Sequence, residues 1–319
     1  MTKLKLSTVK RAICENGAFI ALCVMLLAAS LIYREFFTYS NLSNVLRQTS
    51  MVGLVSIGMT LVILTAGIDL SVGATVALSA IIAAKLSIYG LVPAILVSLL
   101  AGIIIGGVNG FIVNNFKIVP FIATLAVQMA VRGVAYLLTD MRSIAVDRSA
   151  EIFIGLGRGY FIGIPIPVII FLTAAVVMIF VTRRTSFGRS VYAIGGNEDA
   201  ARMMGLRVKR NKSLSYVTTG FLSALAGVIL CARLGAGQPV SGDGWEMDAI
   251  ASVAIGGTLL SGGVGGVGHT ICGVLIIGFI KNIINLQGDI NSYWQKIITG
   301  LILLLVIIAQ NRSGKKRTL

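Results

Sequence analysis

Apolar runs close to 20 residues long recur along almost the whole chain, and nothing else constrains its fold as strongly. They fall at about 17–33, 45–66, 71–88, 91–115, 119–138, 163–182, 213–232, 247–261, 267–286 and 293–310. About 20 helical residues cover the hydrocarbon of a bilayer, and in lipid a backbone must satisfy its own hydrogen bonds. The expectation is therefore an all-α polytopic membrane protein with about ten transmembrane helices, with residues 1–319 forming one transmembrane domain. Only 12% of the 319 residues are charged, where a soluble domain carries about a quarter. The chain holds 37 Gly against 5 Pro, a balance that suits helices packed closely through small residues. Gly102, Gly106 and Gly110 stand four apart on one face of the fourth run and give a neighbouring helix such a surface.

The net charge of +15 is concentrated at span ends. Lys3, Lys5, Lys10 and Arg11 precede the first run, eight basic residues lie between Arg183 and Lys212, and Arg312, Lys315, Lys316 and Arg317 close the chain. This is the positive-inside pattern, and it places the N terminus, the 183–212 loop and the C terminus in the cytoplasm. Parity agrees, with six runs before that loop and four after it. No basic helix or aromatic platform accompanies the charge, so nucleic acid is not an expected partner. The basic start followed by the apolar stretch Gly17–Ile32 mimics a signal peptide, but with many spans following it reads as an uncleaved first span.

Residues that could carry chemistry are few. Cys14, Cys23, Cys231 and Cys272 have no close spacing and read as packing residues. His269 stands alone, without the neighbours a metal site needs, and reads as a packing or helix-end residue. There is no phosphate-binding Gly-x-x-x-x-Gly-Lys-Ser/Thr, no His-Glu-x-x-His and no Gly-x-Ser-x-Gly. Asp69 is the one acid deep in an apolar run, so no paired acids exist for an intramembrane hydrolase. The chain reads as a non-enzyme with no cofactor and no metal.

Two Gly-rich interruptions break apolar territory, Ala66–Gly73 and Ser261–Gly268. The residues before them match weakly, Ile57-Gly58-Met59-Thr60-Leu61 against Ile255-Gly256-Gly257-Thr258-Leu259. An internal repeat with broken helices, common in transporters, accounts for this, and so does chance similarity between Gly-rich spans.

The basic loop contains the grammar of a short helix. Asn197 is a good N-cap, and Glu198 and Asp199 set negative charge at the positive end of the dipole. Gly205 is a C-terminal stop. Ala200, Ala201, Met203 and Met204 supply a small, soft apolar face, and a helix this short gains its order from contact. It either docks in a partner's groove or lies on its own protein's cytoplasmic surface.

With this loop the chain resembles the permeases of ABC importers, which insert a coupling helix into an ATPase subunit. Four ordered stretches are similar to the ribose, xylose and galactofuranose type of monosaccharide permease: Ile57–Gly73, Phe121–Thr139, Phe187–Leu206 and Met247–Gly265. The last of these, with Tyr293-Trp294-Gln295-Lys296, looks nearest to the galactofuranose permeases. The family's Glu-Leu-Asp-Ala-Ile-Ala run stands here as Glu246-Met247-Asp248 and onward, altered only at its middle residue. The resemblance implies a sugar-transporting membrane subunit. It would work with a cytoplasmic ATPase, a periplasmic or lipid-anchored sugar-binding protein and a second permease, identical or similar. Gly196, Asn197, Glu198, Ala200, Ala201, Met204 and Gly205 would then couple the chain to the ATPase. A proton-coupled secondary sugar transporter is the rival reading.

Three further groups of residues take their candidate roles from position. Thr124, Gln128 and Arg132 form one polar stripe on the fifth run, with Asn109 on the fourth as a secondary candidate. A central Arg is costly in lipid and should meet water or a partner, so the stripe either lines a sugar path or ties helices together. Asp69 and Ser71 stand at the first Gly-rich break, where Asp69 caps the third helix or acts as a gate or proton relay. The outward loops 139–162 and 234–248 carry Arg142, Arg148, Trp245, Glu246 and Asp248, which suit a soluble binding protein or are ordinary solvated residues.

Overall fold

The computed structural model describes residues 2–147, 149–288, 291 and 293–315. The chain begins with α1 (Thr2–Ile32), α2 (Tyr39–Leu64), α3 (Val72–Leu86), α4 (Leu91–Phe116) and α5 (Pro120–Thr139). A two-residue strand β1 (Ile144–Ala145), α6 (Glu151–Arg158) and the hairpin β2 (Tyr160–Phe161) and β3 (Ile164–Pro165) follow. Next come α7 (Ile166–Arg184), α8 (Ser186–Gly196), α9 (Glu198–Met203) and α10 (Val208–Leu234). The chain ends with β4 (Ala236–Gly237), α11 (Trp245–Ile255), α12 (Val267–Leu286) and α13 (Tyr293–Lys315). The protein is all-α and polytopic, as the apolar runs require.

Among the described residues, seven helices, α2, α4, α5, α7, α10, α12 and α3 with its final turn, are long and apolar enough to cross a membrane. Within α1 and α13 the apolar stretches are shorter, Gly17–Ile32 and Tyr293–Ile308. The expectation of a full span at 247–261 is not met. There α11 has 11 residues, a rise of ~16 Å and about half the hydrocarbon thickness. A non-helical stretch then leads to Val267.

Helix α2 is polar in its first turns and mostly apolar from Met51 onward, where it packs inside the bundle with Leu54, Ile57, Met59, Leu61 and Ile63 fully buried. Beside it α10 forms the second central post. The α4 glycines meet it backbone to backbone, since a Cβ on Gly102 or Gly106 would strike the carbonyls of Gly220 or Tyr216. Between lipid-facing helices packing and polar ties replace the hydrophobic drive. Thr60 and Thr270 join α2 to α12 at 2.8 Å, and Ser98 Oγ donates to the Ser79 carbonyl at 3.0 Å to join α4 to α3.

The two Gly-rich interruptions do not occupy equivalent places. Ile57–Leu61 lies inside α2, whereas Gly256–Leu259 is already past the end of α11, so the five-residue match falls on unlike structures. Yet the two breaks meet in space. The Gly263 amide donates to the Leu64 carbonyl at 3.0 Å, and Gly262 sits against Ala66.

Residues 234–248 are not a free outward loop. β4 pairs antiparallel with β1, Ala145 opposite Ala236. The following segment descends along α3, from Gly237 beside Ala80 and Ile81 to Gly242 beside Gly73 and Val76. That stretch of α3 is ~10 Å of helix rise, so α11 starts inside the bundle rather than at its surface.

Candidate functional site

The basic end of the bundle displays the short helix that the loop sequence implies. Asn197 is its N-cap, its side-chain oxygen accepting from the Ala200 amide at 2.9 Å. Gly205 follows with φ 79, the left-handed turn that lets the Leu206 amide reach back to the Ala201 carbonyl. Glu198 accepts from Arg202 and from Lys212 on α10, both at 2.9 Å. Burial raises the Glu198 pKa, but the hydrogen bonds and charge of Lys212 and Arg202 outweigh it and hold the carboxyl below the usual range.

The expected apolar face of this helix is divided. Ala201 is fully buried against Ile194 and Val208, and Ala200 is half-buried, while Met203 and Met204 are 83% and 69% exposed. Thus Ala201 belongs to the protein's own core, and the methionines form the displayed surface. Gly196 and Gly205 are exposed beside them. Behind α9, the Gly195 backbone of α8 lies against the Leu64 carbonyl and the Gly263 amide. Tyr192 donates to the Gly265 carbonyl at 2.9 Å. Helix α8, which leads directly into α9, is thereby tied to both interruptions of the bundle.

Asp69 is buried at the first interruption. It accepts from the Ser71 amide at 2.9 Å, from the Ser71 hydroxyl at 2.7 Å and from Asn109 at 3.1 Å. Asn109 also donates to Ser71 Oγ at 2.7 Å. Ser71 is the N-cap residue of α3 without capping through its own side chain, and Asp69 folds the approach to it. Thr124 completes the knot, accepting from the Leu70 amide at 3.1 Å and donating to the Pro120 carbonyl at 2.9 Å. Asn109 and Thr124 are both fully buried and enter this knot rather than an open path.

The rest of the stripe turns to the re-entrant segment. Arg132 donates to the carbonyls of Pro239 and Ser241 at 2.7 and 2.8 Å, pinning the descending chain. Gln128 reaches Glu246 Oε1 at 3.5 Å. Two residues expected on a docking surface are instead interior: Glu246 and Asp248 are 7% and 6% exposed. Asp248 pairs with Lys281 of α12, and Glu246 faces Gly73. The reason is the start of α11 within the bundle, which carries its first turn inward. Trp245 is half-buried against the core, Arg142 is exposed, and Arg148 lies outside the described residues.

Sequence reasoning missed Lys281 although its signal was present. A lysine inside the apolar run 267–286 demands a partner acid, and Asp248 is that partner. His269 is exposed in the first turn of α12, a helix-end residue. Cys23, Cys231 and Cys272 are free thiols.

A bundle of long apolar helices, broken in two places and linked at both breaks to α8 with the short α9 displayed beyond it, defines a polytopic transport subunit. The chain belongs to the family described as the branched-chain amino acid transport system / permease component, whose model matches residues 41–307. It is 43% identical over 314 residues to the ribose import permease protein RbsC of Haemophilus influenzae, covering 96% of each chain. It is 42% identical over 300 residues to the RbsC of Bacillus subtilis, with 93% of each chain covered. Against the L-arabinose transport system permease protein AraH of Escherichia coli it is 35% identical over 311 residues, 95% of this chain and 93% of AraH. These relatives are named for ribose and arabinose, not for the galactofuranose suggested by the finer resemblance. No solved structure matches the chain. The protein is a membrane permease subunit of an ABC importer, multi-pass in the inner membrane.

Proposed function

We propose that this permease carries a monosaccharide of the aldopentose class inward. It does so as one of two permease copies bound to a cytoplasmic ATPase and supplied by a soluble or lipid-anchored sugar-binding protein. The observation that carries the coupling half of this reading is the contact of α8 with both helix interruptions. The Gly195 backbone touches the end of α2 and the α11–α12 turn, so a push on α9 reaches Leu64 and Gly263 without passing through a flexible side chain. Met203 and Met204 are the adaptable apolar surface that meets the ATPase, while Asn197, Glu198, Ala201 and Gly205 fix the angle at which it is presented. Gly196 and Ala200 flank it.

Helix α5 supports pairing with a second copy. Gln128 and Arg132 are half-buried among the exposed Leu125, Met129 and Val134. A polar pair at that depth is costly against lipid, and it is accommodated where α5 faces a hydrated path completed by another permease. Arg142 at the outer end is left as a contact for the binding protein, together with Arg148, which lies outside the described residues.

The test is reconstitution of the permease with its ATPase and binding protein in proteoliposomes, measuring uptake of labelled D-ribose and L-arabinose. Uptake should require ATP and survive a proton uncoupler. Uptake driven by a pH gradient without the ATPase would replace this reading with the secondary-transporter one.

A further inference from the structure

A cavity of ≈ 270 Å³ lies within the single protomer, between α2, α10, α12 and the first turns of α11 and α13. Its position is the end of the bundle opposite α9, since Asn44 lies early in α2 and Arg233 late in α10. Its wall is mixed: Val45, Val52, Leu230, Val274 and Ile277 form an apolar side, and polar side chains stand opposite them. Asn44, Gln48, Thr49, Arg233 and Lys281 face it, and Trp245 contributes an aromatic surface. Polar and charged side chains of this kind are unfavourable against lipid tails, so they suit a polar occupant better than an acyl chain.

Much of this wall has hydrogen-bonding capacity to spare. Thr49 Oγ1 is buried with no partner among the described residues. The side chains of Asn44, Gln48 and Arg233 likewise make no hydrogen bond among the described residues, although Arg233 is only partly exposed. Neighbouring amides are already occupied, Asn282 with Asn41 at 2.7 Å and Gln295 with Asn285 at 2.7 Å, which holds the frame still around the free groups. The charge of Lys281 is met by Asp248, leaving one net cation, Arg233.

We infer that this cavity is a monosaccharide-binding site inside each permease protomer, distinct from the α5 stripe. A sugar ring offers an apolar C–H face and a rim of hydroxyls that both donate and accept. Trp245 suits the first, and the free amides, the Thr49 hydroxyl and the Arg233 guanidinium suit the second. The size accommodates a single sugar ring and is close to the lower bound of ~300 Å³ for small-ligand pockets. The inference rests on the sugar-import reading above and adds residues on α2, α10 and α11 that hold the cargo before it passes inward.

Asn44 and Gln48 are exposed, so replacing both with Leu removes the two free amides of the wall without opening the core. In the Trp294→Phe background, Trp245 is the one remaining tryptophan and reports on the cavity. In nanodiscs, D-ribose or L-arabinose should shift its fluorescence saturably, L-leucine should not, and the Asn44→Leu/Gln48→Leu form should lose the response. The same pair in the reconstituted complex should lower sugar uptake at least tenfold while the complex still assembles by pull-down. A response to L-leucine alone, no response to either sugar, or normal uptake by the double variant would overturn the cavity assignment while the import reading stands. Absence of ATP-dependent uptake of both sugars by the unaltered complex would remove both.

Discussion

Replacing Met203 and Met204 together with Glu tests the coupling surface directly. The two side chains are 83% and 69% exposed, and neither belongs to a hydrophobic cluster, so the change leaves the permease's own packing intact. Covering a methionine on docking is worth ~2 kcal/mol. Discounted by those exposures, the pair contributes ~3 kcal/mol, roughly a hundredfold in dissociation constant. Two carboxylates brought unpaired into an apolar groove act in the same direction. The assay is titration of the purified ATPase onto the permease in nanodiscs, with uptake of labelled sugar measured in parallel after correct membrane insertion is confirmed. Binding should weaken by about two decades and uptake should fail. An affinity within threefold of the unaltered protein, with normal uptake, would refute the assignment of α9 as the docking element. Ala201→Glu is the instructive contrast: because Ala201 is fully buried against Ile194 and Val208, that change disrupts the permease itself and cannot separate docking from folding.

Other outcomes follow from the same geometry. Because the folded Glu198 carboxyl titrates below its usual value of 4.5, its contribution to α9 is present at neutral pH and lost as pH falls through that depressed value. Hydrogen exchange of the 198–204 amides should therefore accelerate on acidification, and Glu198→Gln should abolish the dependence. Gly106→Val would drive a side chain into the Tyr216 carbonyl and separate α4 from α10, costing ~1–3 kcal/mol or more, read as a lower melting temperature in detergent. Thr124→Val strands the buried Leu70 amide and should cost ~1–3 kcal/mol of stability. Gln128→Leu, by contrast, should leave the melting temperature unchanged and reduce sugar flux, and a normal flux would reassign the α5 stripe to packing.

Several parts of the protein were legible along the chain because the physics that sets them is local. Hydrophobic run length fixed the long helices, and small residues four apart marked the α4 face that meets α10. The cap at Asn197, the acids after it and the left-handed turn at Gly205 are one-turn interactions, so α9 appeared in the sequence with nearly its observed bounds. Asp69 and Ser71, two residues apart, likewise form a local turn.

What the sequence could not assign was direction. Exposed and buried residues alternate around α9, and whether Ala201 or Met204 faces outward depends on where Val208 and Ile194 stand. Glu246 and Asp248 looked like surface acids because charge near a span end is ordinarily solvated. They are buried because the 236–244 segment descends beside α3 before α11 begins, a path fixed by β1–β4 pairing and the Arg132 contacts from more than 100 residues away. The cavity has the same origin, since its wall comes from helices far apart in sequence and none of them carries a recognisable motif alone. Solvent exclusion and hydrogen bonds fixed by segments this remote have no signature in local pattern, so the chain alone determined a helical membrane protein with a short capped helix in its basic loop. Only the packed bundle decided which polar residues knot the breaks, which pin the re-entrant segment and which are left free to meet a cargo.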